Sequence, residues 1–186
     1  DEIYLDNSKI SEESCYINLE NEGNITIKLI WLNHQFTSLN GLFYGLNNIT
    51  KINLSKFDAS YVIDMSQMFS NCLNLKFINF TNLNTSSLQY MIGTFENCES
   101  LESLDLSSLN TKLVIYMQYL FSSCFSLKII NLGTIDTSSV INMNAMFSGC
   151  YSLISLDLSN FDTSLVTNME FMFGSCESLT SLYLSN

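Results

Sequence analysis

The sequence contains no arginine and no proline, and its single histidine is His34. All seven basic residues are lysine, set against 18 acids, for a formal charge of −11. Nucleic acid is excluded as a partner on that ground, because neutralising phosphates needs a basic footprint. A Ser-His-Asp or Cys-His machine would have to be built around His34, which falls in a solvent-prone turn with no acid recurring beside it. No catalytic residue is assigned, and the reading is not an enzyme. Glycine-rich phosphate loops and H-E-x-x-H are both missing. No apolar run reaches the roughly 18 residues that a membrane span needs. Cysteines never cluster as CxxC with histidine, so no tetrahedral zinc site and no cofactor is expected. The lack of proline, beside abundant Asn, Ile and Leu, points to no function.

What the chain does have is a period. Cys72, Cys98, Cys124, Cys150 and Cys176 recur without insertion or deletion. Residues 150–173, CYSLISLDLSNFDTSLVTNMEFMF, are one copy of the unit. Each copy holds an L-x-x-L-x-L core, as at Leu153, Leu156 and Leu158, and a period of about 20 to 29 residues belongs to leucine-rich repeats. An apolar fraction of 47% over 186 residues is enough for one core. The expected fold is an α/β repeat: a right-handed leucine-rich-repeat solenoid with one parallel strand and a short helix or 3-10 turn per coil.

Residues 1–24 fall outside the period and hold seven acids, so they read as an acidic N-terminal cap. Residues 25–186 read as the solenoid, about six coils, with an uncapped C-terminal end. Asp1 follows no Met and no basic-plus-apolar leader, which fits a processed, secreted chain. Alternation at Ile25, Ile27, Leu29 and Trp31 predicts the first strand of the solenoid. From Phe43 the columns align: Phe43, Phe69, Phe95, Phe121, Phe147 and Phe173 form one, and strand residues from Ile52 to Leu182 another. Asp58, Asn84, Asn110, Asp136 and Asp162 precede mostly Thr-Ser, as turn or helix caps do. The spacing of Val62, Met65, Met68, Phe69 and Cys72 predicts a short convex helix after each cap.

LDLSNFDTSLVTNMEFMFGSCESLTSLYLS, residues 156–185, resembles the BspA-like class of leucine-rich-repeat surface proteins, and the likeness covers roughly residues 36 to 186. The resemblance implies a surface or secreted location and adhesive or protein-binding roles, with no catalytic residues. Phe57, Leu83, Leu109, Ile135 and Phe161 stand where the broader repeat consensus has a ladder asparagine, so that ladder should be missing. Thr94 replaces a Met of the unit and Ala59 a Thr.

The cysteine column has two readings, disulfides between coils or small buried hydrophobes in the return to the strand. Cys15 stands outside it, free or paired within the cap. Outward strand positions Asn53, Asn79, Asp105, Asn131, Asp157 and Tyr183 form either a binding strip or a solvated ladder of side-chain hydrogen bonds. The sequon N-x-[ST] occurs at Asn24, Asn48, Asn53, Asn79 and Asn84, with Asn48 the favoured glycan carrier. An uncovered last layer at Leu182 and Leu184 is a template for pairing. The likeness of Ile3, Tyr4 and Leu5 to the last strand makes a head-to-tail partner plausible, and contacts of that kind that do not close give filaments. The function expected is a non-enzymatic extracellular or cell-surface scaffold. Its partners are itself, head-to-tail, or another surface or matrix protein, with glycans attached. The alternative is a monomeric adhesin or receptor ectodomain that binds on the strand face.

Overall fold

The computed structural model describes residues 3–5, 8–10, 27–29, 36–55 and 57–184. Strands β1 (Ile3–Leu5), β2 (Ser8–Ile10) and β3 (Ile27–Leu29) form an antiparallel sheet in the order β2-β1-β3. The strand expected from residue 25 is therefore present over three residues, but it pairs with β1 rather than opening the coil stack. From residue 36 onward the chain is a solenoid-like stack of coils in a constant 26-residue register. Its strands are β4 (Lys51–Asn53), β5 (Phe77–Asn79), β6 (Ser103–Asp105), β7 (Ile129–Asn131), β8 (Ser155–Leu158) and β9 (Ser181–Leu184). They pair in parallel as β4 with β5, β6 with β7 and β8 with β9, always 26 residues apart.

The expected helices are not there: no described residue is helical. What replaces them is a ribbon of tight turns laddered to its neighbours. The N–H groups of Leu39, Gly41, Phe43 and Gly45 donate to the carbonyls of Asp64, Ser66, Met68 and Ser70 in the next coil, and the later coils repeat the pattern at 2.7 to 3.1 Å as far as the one donating from Met143, Ala145, Phe147 and Gly149. Alternate residues close i→i−3 turns within the coil, as Met68 to Met65 and Cys72 to Phe69 do. The third residue of every second turn has left-handed φ: Gly41, Gln67, Gly93, Tyr119, Ala145 and Phe171 in one column, Gly45, Asn71, Asn97, Ser123, Gly149 and Ser175 in another. A type II turn requires that backbone, which is why glycine and asparagine favour the position. Left-handed residues at such short intervals cannot belong to an α-helix. The apolar spacing read as helical is that of turn corners facing the core.

The core columns are where the sequence placed them. Phe69, Phe95, Phe121 and Phe147 are fully buried, and adjacent rings of the column stack at 5.3 to 5.8 Å. The ladder asparagine is absent as expected, and Leu83, Leu109, Ile135 and Phe161 fill its slot as buried hydrophobes. A threonine ladder two residues later does comparable work. Thr85, Thr111 and Thr137 each donate Oγ1–H to the carbonyl of Asn110, Asp136 or Asp162 and accept that residue's N–H. Ala59 has no hydroxyl and is simply buried.

The described cysteines are free thiols, so the buried-hydrophobe reading of the column holds. Each thiol donates to the carbonyl of a phenylalanine 29 residues earlier, as Cys72 does to Phe43 and Cys124 to Phe95. Burial pushes Cys72 and Cys150 up to about 12 and raises Cys98 and Cys124 further. Thiolate nucleophiles are therefore suppressed along the column.

Two outcomes are expected. Thr111→Val, close to isosteric, leaves the Asp136 N–H and carbonyl without their buried partner and lowers stability by about 1 to 3 kcal/mol in urea unfolding. Thr163→Val, at the exposed counterpart in the last coil, leaves the midpoint unchanged. In a thiol-reagent time course on the native chain, half-buried Cys176 reacts before Cys72, Cys98, Cys124 and Cys150, which become reactive only on unfolding.

Candidate functional site

The outward strand strip exists as a surface, but its oxygens are engaged. Oδ1 of Asn53, Asn79, Asp105, Asn131 and Asp157 accepts the backbone N–H two residues on, from Ser55, Thr81, Ser107, Gly133 and Ser159 respectively, at 2.9 to 3.1 Å. These are Asx turns that close the corner after each strand. Hydrogen bonds from the hydroxyl and then the N–H of Ser107 hold Asp105 below the usual carboxylate range, and Ser159 does the same for Asp157. Register brings Asn53 beside Asn79, Asp105 beside Asn131, and Asp157 beside Tyr183. Because β5 does not pair with β6, nor β7 with β8, the strip is three two-residue steps rather than a continuous ladder. Exposed Phe77 and Ile129 flank it, and Lys128, just before β7, bonds Glu102, just before β6, at 2.8 Å. That ion pair is solvated and contributes little.

A second Asx column occupies the next corner. Asp58, Asn84, Asn110, Asp136 and Asp162 each accept the N–H of the residue two positions on. These residues cap turns, not helices. Of the sequons, Asn48, Asn53 and Asn84 are exposed and Asn79 is half-buried. Asn24, His34 and Cys15 lie outside the described residues.

The assembly candidates divide. β1 is the centre of its sheet, with both edges taken by β2 and β3. Ile3, Tyr4 and Leu5 therefore cannot add as an edge strand to β9 without losing a pairing. Leu182 and Leu184 are exposed in β9, which pairs with β8 alone among the described residues.

The ribbon surface was not legible as a site because its turns were read as helices. It carries exposed Tyr44, Tyr119, Met169 and Phe171, with Tyr90 stacked on Tyr116 at 5.9 Å. The available signal was the recurrence of Gly41, Gly93, Asn71 and Asn97 in columns that demand left-handed φ. Among the described residues, no group of three His, Cys, Asp or Glu side chains is placed to hold a metal, and no helix is long and apolar enough to cross a membrane.

A leucine-rich repeat protein from Bacteroides ovatus, solved by crystallography, aligns with 100% of this chain at 18% identity and a TM-score of 0.48. The chain spans 52% of that protein's length. No curated protein matches the sequence. Residues 37–131 and 128–185, which together take in nearly all of the coil stack, match the family described as Mycoplasma protein of unknown function, DUF285. The matched residues make up most of the 186-residue sequence, and the chain belongs to the DUF285 family.

Proposed function

We propose that the chain is a non-enzymatic, surface-located leucine-rich-repeat scaffold that works by protein contact and extends by stacking coil on coil, head to tail. The observation that carries this reading is the polarity of the ribbon ladder. In each earlier coil the N–H groups at the four alternate ribbon positions bond the next coil, as those of Met143, Ala145, Phe147 and Gly149 do. The equivalent groups of Met169, Phe171, Phe173 and Ser175 have no acceptor among the described residues. The complementary carbonyls of the first coil, at Ser38, Asn40, Leu42 and Tyr44, likewise have no donor there. The two rows are complementary at one pitch, so a coil laid on either end, from a further stretch of chain or from a second copy, would be held as the internal coils are, and between copies such a contact is heterologous.

The apolar surface at the last described coil supports the same reading. Met169 is 43% exposed where Met143 is 0%, and Leu184 is 62% exposed where Leu158 is 3%. Another coil laid on that surface would bury these side chains as the internal coils bury theirs. The likeness to BspA-like surface proteins supports an extracellular location and an adhesive role. In such a setting Asn48, Asn53 and Asn84 are the exposed positions for N-linked glycan. The rival reading, a monomeric adhesin that binds through the strand strip, is weakened by the Asx turns that engage its side-chain oxygens.

Sedimentation velocity and negative-stain microscopy of the 186-residue chain test this. The expected result is a concentration-dependent ladder of linear species that collapses to monomer in the double variant Met169→Lys, Leu184→Lys. Wild-type chain that stays monomeric at all concentrations, or a variant that assembles as well as wild type, removes the proposal. Assembly should also slow thiol labelling of Cys176, since its coil becomes internal.

A further inference from the structure

Tyr119 and Phe171 occupy one column of the turn ribbon two coils apart, 41% and 74% exposed, with φ of 59° and 55°. Gly41 and Gly93 hold the same column elsewhere. A bulky aromatic is disfavoured at left-handed φ, so the backbone gives no reason for rings there. Between them, in the intervening coil, the column is filled by buried Ala145.

Elsewhere on the outer surface, rings on adjacent coils stack on one another. Tyr90 and Tyr116 have centroids 5.9 Å apart, and Phe125 and Tyr151 are at 5.0 Å. Rings one coil apart thus stack on this molecule, whereas Tyr119 and Phe171 are kept two coils apart by Ala145. Two coils separate Tyr119 from Phe171 by about 10 to 12 Å, which accommodates one planar ring stacked on both at the roughly 4.5 to 7 Å typical of aromatic pairs.

Charge says what carries that ring. The ribbon segments hold Asp64, Glu96 and Glu170 and no lysine at all, the lysines of the coil stack being on strands and the corners around them. In this column the Glu96 carboxylate lies against Gly93, one coil before Tyr119, and Glu170 immediately precedes Phe171. The aromatic pair is thus bracketed by acids at both ends. Nucleobases bring phosphates that this surface repels, whereas an aromatic side chain between cationic ones complements it.

We propose that the ribbon face binds a basic peptide segment of a partner protein, seating one aromatic side chain over Ala145 between Tyr119 and Phe171 while flanking lysines or arginines meet Glu96 and Glu170. The site needs only coils present within one chain, so it stands whether or not chains stack.

The test is a titration of the chain with the peptide acetyl-Lys-Lys-Trp-Lys-Lys-amide, followed by the peptide's own NMR resonances, beside the same peptide with leucine in place of tryptophan. The tryptophan peptide is expected to bind about fivefold tighter or more. Ala145→Phe, which fills the gap with the chain's own ring, and Phe171→Ser, which removes one wall, should each abolish that preference. Both substitutions have precedents at left-handed φ in this chain, Phe171 itself and Ser123, and thermal melting confirms that each variant folds. Equal affinity for the two peptides in the wild type overturns the proposal, as does a preference that survives either folded variant.

Discussion

The coil-to-coil hydrogen bond of the turn ribbon is the constraint on which the rest of the stack depends. Each coil before the last described one satisfies alternate N–H groups with the next coil's carbonyls and closes the remaining ones into turns on itself. Buried backbone polar groups must be paired somewhere, and this scheme pairs them without a helix. The strand side shows how much falls to the ribbon: sheet pairing joins coils only two by two, whereas the ribbon bridges run unbroken from Ser38 through Asp64, Tyr90, Tyr116 and Asn142 to Asn168. Stacked phenylalanines, threonine hydroxyls and thiols then repeat at the same pitch because the ladder sets it. A residue in any column meets its own counterpart above and below.

That geometry also decides what the surface can offer. Polar side chains that alternate outward along a strand look free in the sequence, yet in the fold the Asn and Asp of both corner columns close the backbone turn that follows them. Among the exposed side chains that close no turn are Tyr119 and Phe171, both on left-handed backbone. Holding Tyr119 and Phe171 there costs on the order of 1 to 2 kcal/mol each relative to glycine.

Much of the fold was legible because a repeat leaves its register in the sequence. The cysteine period gave the coil length, the L-x-L tokens gave the strands, and the phenylalanine column marked the core. The ribbon was misread for a physical reason: apolar residues at i, i+3 and i+7 face one side both in a helix and in a chain of alternating turns. Only the glycines and asparagines in fixed columns separate the two. The strip on the strands was located correctly, but no pattern in the chain announces that its oxygens reach back to the backbone. The pairing of β3 with β1 was hidden for a similar reason, since a three-residue apolar strand does not name its partner.

The sequence by itself determined the repeat, the register and which side chains are buried, because these follow from period and polarity. The tertiary structure decided which hydrogen bonds hold coil to coil, which polar side chains are already engaged, and which ribbon corners take left-handed φ. The coil-to-coil bonds join residues 25 or more positions apart, and the turns between them depend on backbone φ at the corners, which an amino-acid string constrains only where glycine or asparagine stands.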